Sequence, residues 1–252
     1  MRVGAVVLAG RANDGRLKDV AAAEWEALID IAGKPMLQYV VDALEGSSSV
    51  GDIAVVGPGI LASSLKASRA RVVPPAGGLV DNVMAGFDSL SRSGKMLVAT
   101  SDIPLVTTEV VDGFLRECGD LDADFYYPIV RRETMEARYP GVKRTYAGLR
   151  DGSFTGGNVF LADLGVADRL RDTLEFLVEN RKKPGRMAAV LGIAFVFKLL
   201  FRLLTISEAE KKAGELYGIR AKAVITDYPE IGFDVDKPSD LGLVSRILSK
   251  AA

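Results

Sequence analysis

VGAVVLA, at residues 3–9, is a continuous apolar run that ends at Gly10. A run without polar alternation is typical of a parallel strand that is buried on both faces. Further short apolar runs stand at residues 53–56, 71–73, 96–99 and 125–130. Segments that favour helices separate them, at residues 33–44, 79–90 and 107–117. This alternation predicts a single-domain, Rossmann-like α/β fold with a mostly parallel central sheet flanked by helices.

The second half of the chain is less regular. It favours strands at residues 145–149, 158–161, 219–225 and 231–235, and helices at residues 163–180, 185–204 and 241–248. No tandem repeat, low-complexity tract or linker interrupts the sequence. We therefore expect one domain over residues 1–252.

The composition excludes several classes of protein. Of the 252 residues, 48% are hydrophobic and 26% are charged, which is typical of a globular chain. The 32 basic and 33 acidic side chains nearly cancel, so we expect no nucleic-acid partner. The sequence has no histidine, which excludes a Ser-His-Asp triad, a Cys-His pair and a histidine-ligated zinc. Catalysis must then use carboxylates, cations, hydroxyls, backbone amides or a hard metal held by oxygen.

Cys118 is the one cysteine of the sequence, so an internal disulfide cannot form. This usage fits a reducing compartment. The first residues run straight into a strand and do not form a signal peptide, so we expect a cytoplasmic location. We interpret Cys118 as a small core side chain and not as a nucleophile.

A strongly apolar segment at residues 187–204 contains Lys198 and Arg202. A membrane-spanning helix needs about 20 mostly apolar residues, so we expect no transmembrane segment. Our interpretation is a core helix with its cations at a wet edge. The alternatives are a homodimer face, a lipid-facing surface or an apolar wall for a substrate. The preceding cation run, at residues 181–186, is either solvated or a site for an acceptor phosphate.

Ligands of open parallel sheets bind beyond the carboxyl ends of the strands. The loop after the first strand contains Gly10, Arg11, Gly15, Arg16 and Lys18. Glycine lets backbone amides approach a phosphate, and cations neutralise its charge. The loop matches neither of the common glycine-rich phosphate motifs, so an ordinary surface loop is the alternative.

Acidic residues follow two other predicted strands. Asp102 comes directly after a buried strand and either forms an Asx turn or holds a metal ion. Asp234 and Asp236 alternate along a segment predicted to be extended, so we expect their side chains to point to opposite sides. Asp240 stands at the start of the last helix, where we expect a structural role.

Four short motifs occur in order along nearly the whole chain: LAG at 8–10, GKPML at 33–37, SDIPL at 101–105 and DVDKPSDL at 234–241. This set resembles the MobA-like nucleotidyltransferase family, whose members share a GT-A-like fold. The resemblance implies a Mg²⁺-dependent enzyme that joins a nucleoside triphosphate (NTP) to a phosphorylated small-molecule acceptor and releases pyrophosphate. It also implies a nucleotide-binding half at residues 1–130 and an acceptor-binding half at residues 131–252.

The resemblance implies roles for particular residues. Asp102 and Asp236 would hold Mg²⁺, with Asp234 a less favoured ligand, and Arg16 and Lys18 would act in catalysis together with Asp102. The nucleotide would contact Leu8, Ala9, Gly10, Arg11, Gly77, Gly78, Asn82 and Ser101. The acceptor would contact Gly157 and Asn158. Two of these assignments have structural alternatives: a helix-start cap for Asn82, and a tight hairpin turn for residues 155–158.

The chain departs from the family pattern at two places. Relatives carry a Pro-Lys pair shortly before the GKP segment, whereas residues 23–28 here include Glu26. Arg11 stands where relatives usually have a second glycine. A nucleotide-binding or regulatory protein that has lost catalysis is therefore one alternative. A glycosyltransferase of the same fold, using a nucleotide sugar, is another, because Asp234 and Asp236 fit an Asp-x-Asp spacing.

Overall fold

The computed structural model describes residues 2–90, 94–166 and 190–250. Its strands are β1 Val3–Leu8, β2 Asp30–Ile31, β3 Lys34–Pro35, β4 Val50–Val56, β5 Ala70–Val73, β6 Lys95–Thr100, β7 Phe125–Arg131, β8 Ala147–Leu149, β9 Gly152–Gly156, β10 Val159–Asp163 and β11 Ala221–Thr226. Its helices are α1 Met36–Gly46, α2 Leu61–Ser64, α3 Leu79–Ser89, α4 Thr108–Glu117, α5 Arg132–Arg138, α6 Ile193–Leu200, α7 Ile206–Tyr217 and α8 Pro238–Leu248.

One large sheet has the strand order β5-β4-β1-β6-β10-β7-β9-β8, and β11 also pairs with β7. The pairs β5–β4, β4–β1, β1–β6 and β7–β11 are parallel. The predicted α/β fold with a mostly parallel sheet is therefore confirmed. β10 is antiparallel to both β6 and β7. This reversal places the start of β10 beside the carboxyl end of β6, where the parallel strands also end.

The sheet is covered on both faces, which explains the continuous apolar run of β1. Val7 belongs to a core cluster with residues of α1 and α4, such as Val41 and Phe114. Val6 belongs to a second cluster, which includes Phe87 of α3. Val6 and Val7 are both fully buried, because neighbouring side chains of a strand point to opposite faces.

Helix boundaries follow local signals in most places. The hydroxyl of Thr107 accepts a hydrogen bond from the amide of Val110 and caps α4, the helix predicted at residues 107–117. The sequence interpretation did not include α5, α7 or β9. The signal for α7 was present, because Thr205 and Glu208 form a reciprocal capping box at its start.

Two predicted elements of the second half are wrong. Residues 231–235 do not form a strand, since a 3₁₀ turn at Pro229–Gly232 and an irregular segment replace it. The predicted helix at 185–204 is interrupted at Gly192, whose φ of +91° is readily adopted only by glycine, and α6 ends at Leu200. The predicted helix at 163–180 lies mostly outside the described residues, and the cation run at 181–186 lies entirely outside them.

The interpretation of the 187–204 segment as a core helix is wrong for the part that the structure describes. α6 buries none of its residues, and the side chains of Ile193 and Leu200 are 83% and 74% exposed. Phe197 and Phe201 are also exposed and stack on each other, with ring centroids 4.3 Å apart. Among the described helices, none is long and apolar enough to cross a membrane.

Cys118 is fully buried in the core cluster between the sheet and α4. Burial raises the pKa of its thiol to about 12. Near pH 8 roughly one thiol in 10⁴ is then ionised, and the thiolate is the reactive form. We expect Ellman's reagent to leave the folded protein unlabelled and to label one thiol per chain in guanidinium chloride. Rapid labelling of the folded protein would contradict the core position.

Candidate active site

Backbone hydrogen bonds join four chain segments at the carboxyl end of the central strands. The amide of Ser101 donates to the carbonyl of Leu8 at 3.1 Å, and the amide of Val235 donates to the carbonyl of Asp102 at 2.9 Å. Asn158 lies in the fourth segment and joins two of the others. Its carbonyl accepts from the amide of Thr100 at 3.1 Å, and its amide donates to the carbonyl of Ile231 at 2.9 Å. Residues far apart in sequence are thus fixed around one cleft.

Three carboxylates meet at this point. One carboxylate oxygen from each of Asp102, Asp234 and Asp236 lies within 4.8 Å of the others. The expectation that Asp234 and Asp236 point to opposite sides is therefore wrong. Side chains two residues apart in an extended segment share a face, so the expectation applied the strand period wrongly. The segment here is irregular, and it brings both carboxylates to Asp102.

The cluster is costly to ionise without a cation. Burial raises the pKa of Asp102, and repulsion from Asp236 adds to this, while a hydrogen bond from the Thr100 hydroxyl opposes it. Burial also raises the pKa of Asp234 to about 6 against the lowering effect of Arg144. Grouped carboxylates of this kind are the donors that hard divalent cations prefer.

Arg144 was not identified from the sequence. Its guanidinium donates to Oδ1 of Asp234 at 2.5 Å and to the Asp234 carbonyl at 2.6 Å, and it lies over the ring of Phe233 with Cζ 4.4 Å from the centroid. The side chain is only 8% exposed. Arg144 therefore holds one carboxylate of the cluster in place. No local pattern in residues 141–146 distinguishes it from a surface arginine.

Arg11 and Glu26, the two residues at which the chain departs from the family pattern, contact each other. Nε of Arg11 lies 3.2 Å from a carboxylate oxygen of Glu26, and Nη1 of Arg11 lies 3.2 Å from Oδ1 of Asp236. Glu26 is 3% exposed, and burial raises its pKa to about 7 although Arg11 lowers it. Glu26 therefore orients Arg11 toward the acid cluster, and the Arg11 side chain is still 58% exposed.

The predicted acceptor residues line a polar pocket of about 430 Å³ beside the cluster. Gly157 and Asn158 form one side of it, and Arg16 of the first loop reaches it as well. Its further lining includes Tyr127, Lys143, Arg144, Thr155, Asp234, Asp236 and Lys237. Lys18 is exposed on the first loop and is not part of this lining.

The predicted nucleotide-binding residues fall into two groups. Leu8, Ala9, Gly10, Arg11 and Ser101 lie together where β1 and β6 end, next to the acids. Gly77, Gly78 and Asn82 lie at the start of α3. There the Asn82 side chain accepts from the amide of Ala76 at 2.8 Å and donates to the carbonyl of Gly77 at 3.4 Å. Its amide group therefore closes the glycine turn, in which Gly77 has a φ of +124°.

Comparison with known proteins gives a coherent result. A family model, the MobA-like NTP transferase domain, matches residues 5–194. A hypothetical transferase from Thermus thermophilus is 36% identical over 96% of this chain and 100% of its own, with a TM-score of 0.86. The chain belongs to the MobA-like NTP transferase family. It is a nucleotidyltransferase, which goes against the glycosyltransferase alternative.

More distant structures share the fold of this MobA-like transferase. A CMP:2-keto-3-deoxy-manno-octonic acid synthetase complexed with CTP has a TM-score of 0.64 at 13% identity, and each chain is fully covered. Molybdopterin-guanine dinucleotide biosynthesis protein A from Archaeoglobus fulgidus has a TM-score of 0.55 at 14% identity, with 98% of this chain and 100% of that chain covered. The predicted GT-A-like fold is thereby confirmed. No curated protein matches the sequence.

Proposed function

We propose that this transferase moves a nucleotidyl group from an NTP to a phosphorylated small-molecule acceptor and releases pyrophosphate. One observation carries the proposal: Asp236 of the acid cluster contacts Arg11 of the first loop and also lines the polar pocket formed by Asn158. Nucleotidyl transfer needs such adjacent sites, because the α-phosphorus must stand between the leaving pyrophosphate and the attacking acceptor.

The residues present fit a magnesium ion. Asp102 and Asp236 come from different segments, offer hard oxygen ligands within 4.8 Å of each other, and gain from a cation that relieves their repulsion. Mg²⁺ bound there would neutralise charge that develops on the phosphate oxygens. Asp234 is held in a short, largely buried pair with Arg144, whereas the contact of Asp236 with Arg11 is solvent-exposed, so we propose Asp102 and Asp236 as the ligands.

Basic side chains of the protein would supply the remaining positive charge that the phosphates need. Arg11 and Arg16 would contact the triphosphate from the first loop, with Lys18 in a supporting position. An oxygen of the acceptor phosphate attacks the α-phosphorus, and the bond from that phosphorus to the oxygen bridging to the β-phosphorus breaks. Pyrophosphate leaves with the electron pair. The acceptor phosphate is ionised at neutral pH, so the step needs no general base and the absence of histidine is no obstacle.

The Arg11–Glu26 contact argues against the alternative of an inactive protein. Relatives place a lysine shortly before the GKP segment, and here Arg11 of the first loop brings a cation beside the proposed metal ligand Asp236. A guanidinium matches phosphate oxygens with two parallel hydrogen bonds. We propose that Arg11 takes over the phosphate contact and that Glu26 orients it.

The proposal is tested by pyrophosphate release with each of the four NTPs, Mg²⁺ and a panel of sugar, polyol and alkyl phosphates. Pyrophosphate that depends on both substrates supports the transfer reaction. Binding of an NTP without pyrophosphate release for any acceptor would favour the inactive alternative. An Asn158→Ala variant tests the position of the acceptor site, and we expect it to raise the KM for the acceptor.

Metal binding should raise the thermal stability of the free enzyme. At a Mg²⁺ concentration of about ten times Kd, binding contributes about 1.4 kcal/mol, which corresponds to a rise in Tm of about 3 °C for a chain of this size. We expect Asp236→Asn to lose most of this rise and EDTA to reverse it in the wild type. Asp52→Asn, at an exposed position of β4, is the matched control and should keep the full shift. An equal rise in all three proteins would contradict the assignment of Asp236.

A further inference from the structure

An apolar cavity of about 330 Å³ lies between α7 and the outer face of β7 and β11. Phe125, Tyr127 and Ile129 alternate along β7 and form its floor. The cavity exists because the residues that face each other across it are small, namely Ala209 and Ala213 on α7 and Ala221 and Ala223 on β11. An apolar lining of this kind favours apolar ligands over polar ones.

The lining offers little to a polar ligand. Among the described residues that line it, Glu210 and Lys222 are charged, and the carboxylate of Glu210 accepts a hydrogen bond from the Ala223 amide at 2.8 Å. The remaining side chains are aliphatic or aromatic, apart from the hydroxyls of Tyr127 and Tyr217. The volume lies at the lower end of the range for ligand pockets, about 300–1,000 Å³.

Tyr127 forms a wall shared by this cavity and the polar pocket of the active site. Its ring is stacked with that of Phe125, with ring centroids 6.4 Å apart and an interplanar angle of 10°. Its hydroxyl end lies against Gly156, where a side chain of any other residue would meet the phenol ring. An apolar compartment and a polar compartment are therefore adjacent, and the amphipathic side chain of Tyr127 lines both.

The apolar surface continues outward from the cavity. Leu149 of β8 lines the cavity, and α6 packs against β8. The exposed side chains of α6 and the residues after it include Phe197, Leu200, Phe201 and Leu203. A chain leaving the cavity on this side would meet apolar groups.

We propose that the cavity holds the hydrocarbon chain of the acceptor, so that the acceptor is a phosphorylated amphiphile. This inference rests on the proposed function. The phosphate would lie in the polar pocket near Arg16 and Asn158, and the chain would pass Tyr127 into the space under α7. Other phosphorylated acceptors would use the polar pocket alone and would gain nothing from the cavity.

The first test is a chain-length series of monoalkyl phosphates, from methyl to dodecyl, at fixed NTP and Mg²⁺. Burial of each methylene should lower the KM for the acceptor roughly fourfold until the cavity is full. A KM independent of chain length would overturn the proposal. Long-chain phosphates are then presented in two ways, in solution below their micelle concentration and in phosphatidylcholine vesicles. Comparing the activity with the two presentations distinguishes a free amphiphile from a membrane-borne one.

The second test fills the cavity. Ala213→Phe places a ring in the space, and Ala209→Val is a milder variant in case the first fails to fold. Both should raise the KM for octyl phosphate at least tenfold and leave that for methyl phosphate unchanged. Lys211→Phe adds the same ring on the exposed side of α7 and is the matched control. Unchanged chain-length selectivity in folded Ala209→Val and Ala213→Phe would contradict the assignment.

A third measurement keeps this inference separate from the reaction itself. Calorimetric titration of octyl phosphate and methyl phosphate into the free enzyme reports the cavity without turnover. Tighter binding of the octyl compound that Ala213→Phe removes supports the cavity even if no pyrophosphate forms, in which case only the proposed function fails. Pyrophosphate release with short polar phosphates alone, together with equal affinities for both alkyl phosphates, would leave the function standing and overturn the cavity assignment.

Discussion

Replacement of Asp102 by Asn is expected to lower kcat by about 10³-fold or more, because it removes one of the two carboxylates that we propose as Mg²⁺ ligands. The fold should not suffer. The amide oxygen of the new side chain can still accept from the Thr100 hydroxyl, and the loss of one charge relieves the repulsion that raises the pKa of Asp102. We expect a Tm equal to that of the wild type or slightly higher.

The measurement is steady-state pyrophosphate release together with thermal unfolding in the presence and absence of Mg²⁺. Asp52→Asn, with the same change at an exposed position of β4, should have wild-type kcat and the full Mg²⁺-dependent rise in Tm. Wild-type turnover in Asp102→Asn would remove Asp102 from the metal site. A large fall in its Tm without Mg²⁺ would instead assign Asp102 a structural role.

Arg144→Met should destabilise the protein by about 3 kcal/mol near pH 8, because it leaves the Asp234 carboxylate buried without its partner. The methionine keeps contact with Phe233 but supplies no charge. Urea unfolding of the metal-free protein measures the change. Arg150→Met, at an exposed arginine, is the control and should stay within about 0.5 kcal/mol of the wild type.

The loss caused by Arg144→Met should depend on pH. The pKa of Asp234 is already raised to about 6 in the fold, so its ionisation costs stability as the pH rises through this region. Removing Arg144 raises this pKa further. The deficit of the variant should therefore be largest above pH 7 and smaller near pH 5, where Asp234 is mostly protonated in both proteins. An equal deficit at both pH values would show that Arg144 acts through packing and not through charge.

The sequence predicted the early strands well because burial on both faces leaves a local record. The run at 3–9 and those at 53–56, 71–73, 96–99 and 125–130 became β1, β4, β5, β6 and β7 with small changes at their ends. The predictions for the second half of the chain failed where apolar residues are buried without forming a strand. Ile231 and Phe233 are buried in a 3₁₀ turn and an irregular segment, so their hydrophobicity was no evidence for a strand.

The candidate site was predictable to the extent that its residues stand at strand ends. Asp102, Ser101 and the first loop follow directly from strand positions, and the family motifs added Asp236 and Asn158. Lys143 and Tyr127 were missed, although both line the polar pocket. Tyr127 lies within β7 and Lys143 in the irregular segment between α5 and β8, where no local pattern marks a function.

By itself the sequence determined the fold class, the family and the position of the cleft, because strand alternation and short motifs are properties of neighbouring residues. Tertiary structure alone decided the convergence of Asp234 with Asp102 and Asp236, the contact of Arg11 with Glu26 and Asp236, and the cavity under α7. Arg11 and Asp236 are 225 positions apart, and Arg144 and Asp234 are 90. Contacts at such separations depend on how loops cross and how small side chains leave space, and no local periodicity encodes either.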